Sequence, residues 1–528
     1  MSKPLPYTVI TTLLVGLIAV FLNNPFARPA EQYVPPTQGR NNTALFIVIP
    51  HHGLSNVHLA TADALLERYP DIKLEFASFP ELQGKVDRIT DWGQRRNNSA
   101  KPIGFHTVSG RPYNDVAAAR LAARRNTIDA TEVVVTSRGL AGITKVAKDF
   151  AFYVAPWPAE EHFEIYQYVK DIIDKVDPAV VVLDTLFAPA MDAAREGNRL
   201  QAIITPNTLI DNFPGEQPWG GMFWKYPVMG SGHPFPLPWS LVPLNIYQGI
   251  RFIMGVLHSP ELKVKQNYLK EHGLQNPTDF FHIHRPDVPW ITQTMPGASI
   301  PVEVVPQNVS AVGPIVVSVA PVQEQDPELS AWLEQRPTVF INLGSSVKYN
   351  QGRAKTMAAA IKQVLDKNSD VQVLWKMIKW GAYNDDFALP LQDHLASGRL
   401  KLSGWLKADP PSILESGHIV AAVHHGGSNC YHEAVAAGVP HVILPLWMDL
   451  YNFAALVESL ELGVWACPQS SPYWSPDCIS EAILKGVNES EASEFMRRNA
   501  LNVAKEAQKN PGRYASANII AQLAGSGY

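Results

Sequence analysis

Two successive series of short Val/Ile/Leu-rich runs organise this chain, each run closed by Gly, Pro or a polar cluster and followed by a helix-like stretch. In the first series "ALFIVIP" (44–50) leads into "SNVHLATADALLERY", and "IKLEFASF" (72–79), "TEVVVTS" (131–137) and "AVVVLDTLFAPAMDAARE" (179–196) come after it. The second series starts at "TVFINLGSS" (338–346) and continues through "VQVLWKMI" (371–378), "IVAAVHHGG" (419–427) and "HVILPLW" (441–447). Continuous apolar runs, as opposed to alternating ones, are what parallel strands need when helices cover both sheet faces. The pattern predicts an α/β protein of two doubly wound, Rossmann-like domains. At 528 residues the chain also exceeds what one core usually serves.

The break between the series falls in the Pro- and charge-rich stretch 318–337, after the strand-like "PIVVSV" (314–319). Residues 211–300 read as irregular, with many of the Pro and Trp residues in "NFPGEQPWGGMFWKYPVMGSGHPFPLPWS". They serve either as a packed surface excursion or as a wall of an apolar cleft. The domain plan is 1–43 anchor and linker, 44–325 first domain, 326–505 second domain and 506–528 a tail, its return onto the first domain left open.

At the N-terminus "YTVITTLLVGLIAVFL" (7–22) is an uncharged apolar run, short for a membrane span, that could serve as a signal anchor, a cleaved signal or an interfacial helix. The adjoining "NNPFARPAEQYVPP" lacks a small-x-small cleavage site, which favours an uncleaved anchor through residues 5–22, in the endoplasmic reticulum or another endomembrane. Lys3 on one side and Arg28 and Arg40 on the other give no orientational bias. Sequons at Asn41, Asn97, Asn308 and Asn488 would permit glycosylation on a lumenal side. A net charge of -5 without a long basic run excludes nucleic acid as the main partner. Cys430, Cys467 and Cys478 show no metal-ligand spacing and no disulfide framework.

Ligands of open α/β sheets bind beyond the carboxyl ends of the strands. The residues just past each run here are unusually polar: "HHG", Asp184, "GSS", "HHGGSN" and "WMD". A helix starting near Gly427 or Ser428 would aim its free N–H groups and positive dipole end at the loop. The glycines let an anion approach, and His425 adds a donor. Gly438 and Pro440 then stop the helix.

The stretch "GWLKADPPSILESGHIVAAVHHGGSNCYHEAVAAGVPHVILPLWMDLYN" (404–452) resembles the nucleotide-sugar-binding signature of family-1 UDP-glycosyltransferases. Its elements stand in order: Trp405, His425-x-Gly427 with Glu433, Gly438-Val439-Pro440, and Pro445 with Asp449. "WLEQRPTVFINLGSS" (332–346) resembles the opening of that family's donor domain. The resemblance implies a GT-B fold, two domains facing each other across a cleft. It implies that Trp405 stacks on uracil and that His425, Gly427, Asn429 and the Gly344–Ser345–Ser346 turn hold the diphosphate without a metal. Glu433 would take the ribose hydroxyls and Asp449 those of the sugar; a UDP-sugar is the donor substrate and no cofactor is required. Cys430 stands where the plant signature has a small hydroxyl residue, and Leu450 where it has Gln. The Trp-to-His interval is also two residues longer than in that signature.

Inverting transfer needs a base for the acceptor hydroxyl, and a His oriented by a carboxylate suits it. Asp184 stands where the family's orienting Asp is expected. "HHGLSNVHLA" (51–60) resembles the family's loop, but Leu54 occupies the base position. His58, one helical turn on and retained in similar fungal loops, and His52, two residues before, are the substitutes; a base-free mechanism or a silent protein is the remaining case. The reading is a membrane-anchored UDP-glycosyltransferase that glycosylates a hydroxyl of a lipophilic small molecule, with glucose as the default sugar. Its rivals are a silent UDP-sugar-binding membrane protein and a UDP-sugar epimerase of the same fold.

Overall fold

The computed structural model describes residues 34–280, 284–285 and 287–528. The apolar run at 5–22, expected to anchor the chain, lies outside the described residues. Two parallel sheets organise the described chain. The first holds β1 (Arg40–Ile47), β2 (Lys73–Ser78), β3 (Gly104–Thr107), β4 (Pro178–Leu183), β5 (Gln201–Ile204), β6 (Trp290–Thr292) and β7 (Val309–Ala311), in the order β3-β2-β1-β4-β5-β6-β7. The second holds β8 (Thr338–Asn342), β9 (Gln372–Lys376), β10 (Leu400–Ser403), β11 (Ile419–His424), β12 (His441–Ile443) and β13 (Gly463–Trp465), in the order β10-β9-β8-β11-β12-β13.

Winding reverses between β1 and β4 in one sheet and between β8 and β11 in the other, which opens a crevice beyond each pair of strand ends. Leu45 lies beside Val181 and Phe46 beside Val182; Phe340 lies beside Ala422. Leu45, Ile47, Val181 and Leu183 feed one buried layer, and Ala44, Phe46, Val180 and Val182 the other. Both faces are buried, so the strands read as unbroken apolar runs.

The helices that frame the crevices are α1 (His52–Arg68), α2 (Gln83–Arg96), α3 (Gly139–Val154), α4 (Val242–Leu257), α5 (Pro260–Glu271), α6 (Ser428–Ala437), α7 (Met448–Ser459) and α8 (Gly512–Ala524). The C-terminal α8 crosses back and packs on α1, with Ala517, Ile520 and Ala524 in the same core as Val57 and Ala60. Thr61 Oγ1 and Ser516 Oγ lie 2.8 Å apart in that contact.

Several segments differ from expectation. "TEVVVTS" is not a strand: Asp129 caps a one-turn helix, Ala130–Val133, by accepting from Thr131 N at 2.8 Å. The remainder reaches the second domain, where Tyr451 Oη donates to Thr136 O at 2.6 Å and Val135 joins the core. "PIVVSV" is also not a strand; the seventh strand is Val309–Ala311, and Pro314 starts the crossing between domains without an N–H for a ladder. Within 211–300 the sequence reading missed α4 and α5. Cys467 and Cys478 form a disulfide with 5.3 Å between Cα atoms, a pairing their sequence spacing did not announce.

Among the described residues, one stretch, Trp239–Glu271, is long and apolar enough to cross a membrane by length and composition. It is two helices, not one. Ser259 Oγ accepts from Leu262 N at 3.4 Å and caps α5, with Pro260 in its first turn.

Candidate functional site

The loops beyond β1, β4, β8, β11 and β12 converge between the two sheets. On the first-domain side β1 runs out through His51 into α1, so His52 is the first helical residue. His52 is half-buried, and its ring lies 6.4 Å from that of Trp405. Lys85 of α2 places Nζ 2.8 Å from His52 Nδ1 and 3.3 Å from Asn56 Oδ1. Burial first, then the positive charges of Lys85, His51, Lys376 and Arg88, take the His52 pKa down to about 3. Burial and Arg88 lower Lys85 to about 8, against the pull of Asp409 and Glu433.

The structure corrects the choice of His58. Its side chain is fully buried, with Nδ1 2.9 Å from Leu54 O and Nε2 3.1 Å from Leu183 O. It ties α1 to the end of β4 and does not line the cleft. Leu54, at the family's base position, is a core residue. Asp184 is equally enclosed: Oδ2 accepts from Ile49 N at 2.8 Å, and Oδ1 from Leu186 N and Phe187 N, both at 2.7 Å. Burial pushes its carboxyl up, against His58 and the three amides. Asp184 therefore ties the end of β4 to the residues after β1, beside His58.

On the second-domain side α6 begins at Ser428, as the "HHGG" turn predicted, and ends at Gly438 in the left-handed region with φ 71°. His425 sits beneath the turn after β8. A Cβ on Gly344, at φ +80°, would lie 2.7 Å from His425 Cε1, and one on Gly427 would lie 2.4 Å from His425 Nε2. Both glycines thus make room for this ring, a reason beyond the anion approach expected of Gly427. His425 Nδ1 is buried with no hydrogen-bond partner, and burial, His51 and Lys376 take its pKa down to about 3. Ser345 is half-buried and Ser346 exposed at the lip of this turn.

Asn429 Nδ2 reaches across the cleft and donates to His52 O at 2.9 Å. Trp405, 63% exposed, offers a ring face to the cleft with Lys376 Nζ 4.4 Å above its centroid. Burial and Asp409 raise the Glu433 carboxyl to about 8, and Lys85 and Lys376 oppose the shift. Burial and Glu433 keep the Cys430 thiol protonated. Asp449 lies in the first turn of α7, raised to about 7 by burial and by Asp211. The adjacent Leu450 is 1% exposed and faces the core. Arg88 and Asp409 pair across the mouth at 3.0 Å.

Residues 261–466 match the family model for UDP-glucoronosyl and UDP-glucosyl transferases. Over 507 residues the chain is 30% identical to glycosyltransferase sdnJ of Sordaria araneosa, covering 91% of this chain and 98% of that one. The chain is a family-1 UDP-glycosyltransferase. UDP-glycosyltransferase CGT of Oryza sativa subsp. japonica is 29% identical over 214 residues, 38% of this chain and 43% of that one. A solved UDP-glucosyltransferase from Polygonum tinctorium shares the GT-B fold, with a TM-score of 0.58 at 16% identity over 93% of this chain and 100% of that one.

A UDP-glycosyltransferase transfers sugar from a UDP-sugar to a small-molecule acceptor. In this one the structure gathers Trp405, His425, Gly427, Asn429, Cys430, Glu433, Asp449 and the 344–346 turn on one wall, faces them with His52, and leaves His58 and Asp184 in the core. Two cleft residues escaped the sequence reading. Lys376 ends β9 and could have been found by inspecting the end of "VQVLWKMI" as the other strand ends were inspected. Lys85 has no such signal, because only the packing of α2 beside α1 brings it to His52.

Proposed function

We propose that this UDP-glycosyltransferase moves a sugar, glucose by default, with inversion and without a metal, from a UDP-sugar to a hydroxyl of a lipophilic small molecule, with His52 as the base. The observation that carries the reading is the position of His52 and Lys85 directly opposite Trp405, Lys376, Glu433 and the N-terminus of α6. Uracil on the Trp405 face brings the ribose to Glu433 and the diphosphate toward His425 and the free N–H groups of α6. The sugar then meets Asp449. His52 Nε2 takes the acceptor hydroxyl proton while that oxygen bonds to the anomeric carbon. The bond from that carbon to the β-phosphate oxygen breaks, and UDP leaves with its charge near Lys376. An apolar acceptor is supported by the apolar lining that Ile143, Val146, Met229 and Phe252 present beside Met448 of the donor domain.

The full chain, given UDP-glucose, UDP-xylose or UDP-N-acetylglucosamine with a pool of hydrophobic alcohols, should release UDP only when an acceptor is present. Release without acceptor, or UDP binding without release from any pairing, would overturn the proposal. Trp405→Ala should weaken UDP binding by about 1–3 kcal/mol, the cost of losing a base-stacking platform, read by titration calorimetry. Unchanged affinity would remove Trp405 from the donor site.

The pair Lys85–His52 also fixes a pH dependence. Below about 8 the Lys85 ammonium donates to Nδ1, the proton of neutral His52 sits on Nε2, and no lone pair is available to the acceptor. Above about 8 the neutral amine accepts from Nδ1–H and frees Nε2. Turnover should therefore rise as pH rises through about 8, and Lys85→Met should abolish that limb. A profile identical in the variant would show that Lys85 does not set the tautomer.

A further inference from the structure

The 217–260 segment of the first domain carries an apolar surface that nothing among the described residues covers. Trp219 is 88% exposed, Trp239 80% and Trp224 37%. Trp224 and Trp239 stack with ring centroids 6.3 Å apart, and Trp224 Nε1 donates to Trp219 O at 3.0 Å, so the three form one patch. Leu244 and Tyr247 continue it along the outer stripe of α4, and exposed Arg251 lies one turn further.

We infer that this face is a docking surface for an anionic lipid bilayer, on which the first domain lies with α4 parallel to the membrane. Tryptophan and tyrosine beside aliphatic residues suit the boundary between headgroups and acyl chains, where one part of the ring is wet and the other apolar. The charge does not oppose an anionic surface. From Gln217 to Pro260 there is no Asp or Glu, and the two formal charges are Lys225, bridged to Glu303, and Arg251. A two-fold contact between copies would instead bring the same patch, with Arg251 of each copy, against itself.

The helix lies on the membrane and does not cross it. Sixteen residues extend about 24 Å, short of the ~30 Å hydrocarbon core. Its inner stripe is committed to protein: Asn245 Nδ2 donates to Phe223 O and Tyr226 O, both at 2.9 Å, and Gln248 Oε1 lies 3.0 Å from His233 Nε2. Phe252 of the same helix lies on the side facing Met448 of the donor domain.

The test uses the full chain and vesicles of phosphatidylcholine and phosphatidylserine, part of the phosphatidylcholine brominated in mid-chain to quench tryptophan. No tryptophan precedes Trp92, so insertion of residues 5–22 is itself silent in this readout. Wild-type fluorescence should fall on binding, and Trp219→Ser with Trp239→Ser should lose most of that quenching while keeping UDP release intact. Omitting phosphatidylserine should reduce the vesicle-bound signal. Unquenched fluorescence in vesicle-bound wild type, or equal quenching in the double variant, would overturn the inference. So would a vesicle-free dimer, seen by sedimentation, that the double variant dissolves.

Discussion

Replacing His52 with Ala is expected to reduce kcat by about 10²–10⁴-fold, the usual contribution of a positioned general base, and to leave UDP affinity near that of the parent. The main-chain carbonyl that receives Asn429 survives the substitution, so the cleft contact at 2.9 Å persists. His58→Ala should act differently, because both ring nitrogens face main-chain oxygens inside the core. It should lower the denaturation midpoint, and the folded fraction should retain turnover. Single-turnover rates normalised to folded protein separate the two. An active His52→Ala enzyme would sink the assignment of the base.

The second large effect is on stability. Asp184→Ala removes the acceptor for three main-chain amides, the buried ones of Ile49 and Phe187 and the part-buried one of Leu186. Deleting one partner of a buried charged network costs about 3–5 kcal/mol, a large share of the ~5–15 kcal/mol that holds a protein folded. Denaturant unfolding should show this loss directly. Asp184→Asn keeps one acceptor oxygen for Leu186 and Phe187 but turns an NH2 toward Ile49 N–H, so its loss should be intermediate. If Asp184→Ala folded as stably as the parent and lost only turnover, Asp184 would be acting in the chemistry after all.

The contrast between these residues shows what a sequence can and cannot disclose. The strand runs at 44–50 and 419–427 were legible because burial on both sheet faces leaves an unbroken apolar signature, and α6 was legible from its glycines at both ends. The runs 131–137 and 314–319 carry the same Val-rich signature and form no strand. Tertiary context decided there: one reaches across to Tyr451, and the other starts with a proline at the domain crossing. The proposed donor wall could be read in order because its residues sit close together along the chain. The proposed base could not. His52 and His58 both fit a helical wheel, and only the packing of β4 against α1 shows that His58 is sealed in, while only α2 places Lys85 2.8 Å from His52.

The return of α8 onto the first domain makes the chain pass between the domains twice. The two passages touch: Gly512 N donates to Pro314 O at 3.1 Å, and a side chain on Gly512 would stand 2.6 Å from Gly313 O. A hinge motion of the domains would turn about that contact. The pair Arg88–Asp409 and the bond from Asn429 to His52 bridge the mouth of the cleft. Any hinge motion that widens the cleft there would break both and part His52 from its second-domain partner.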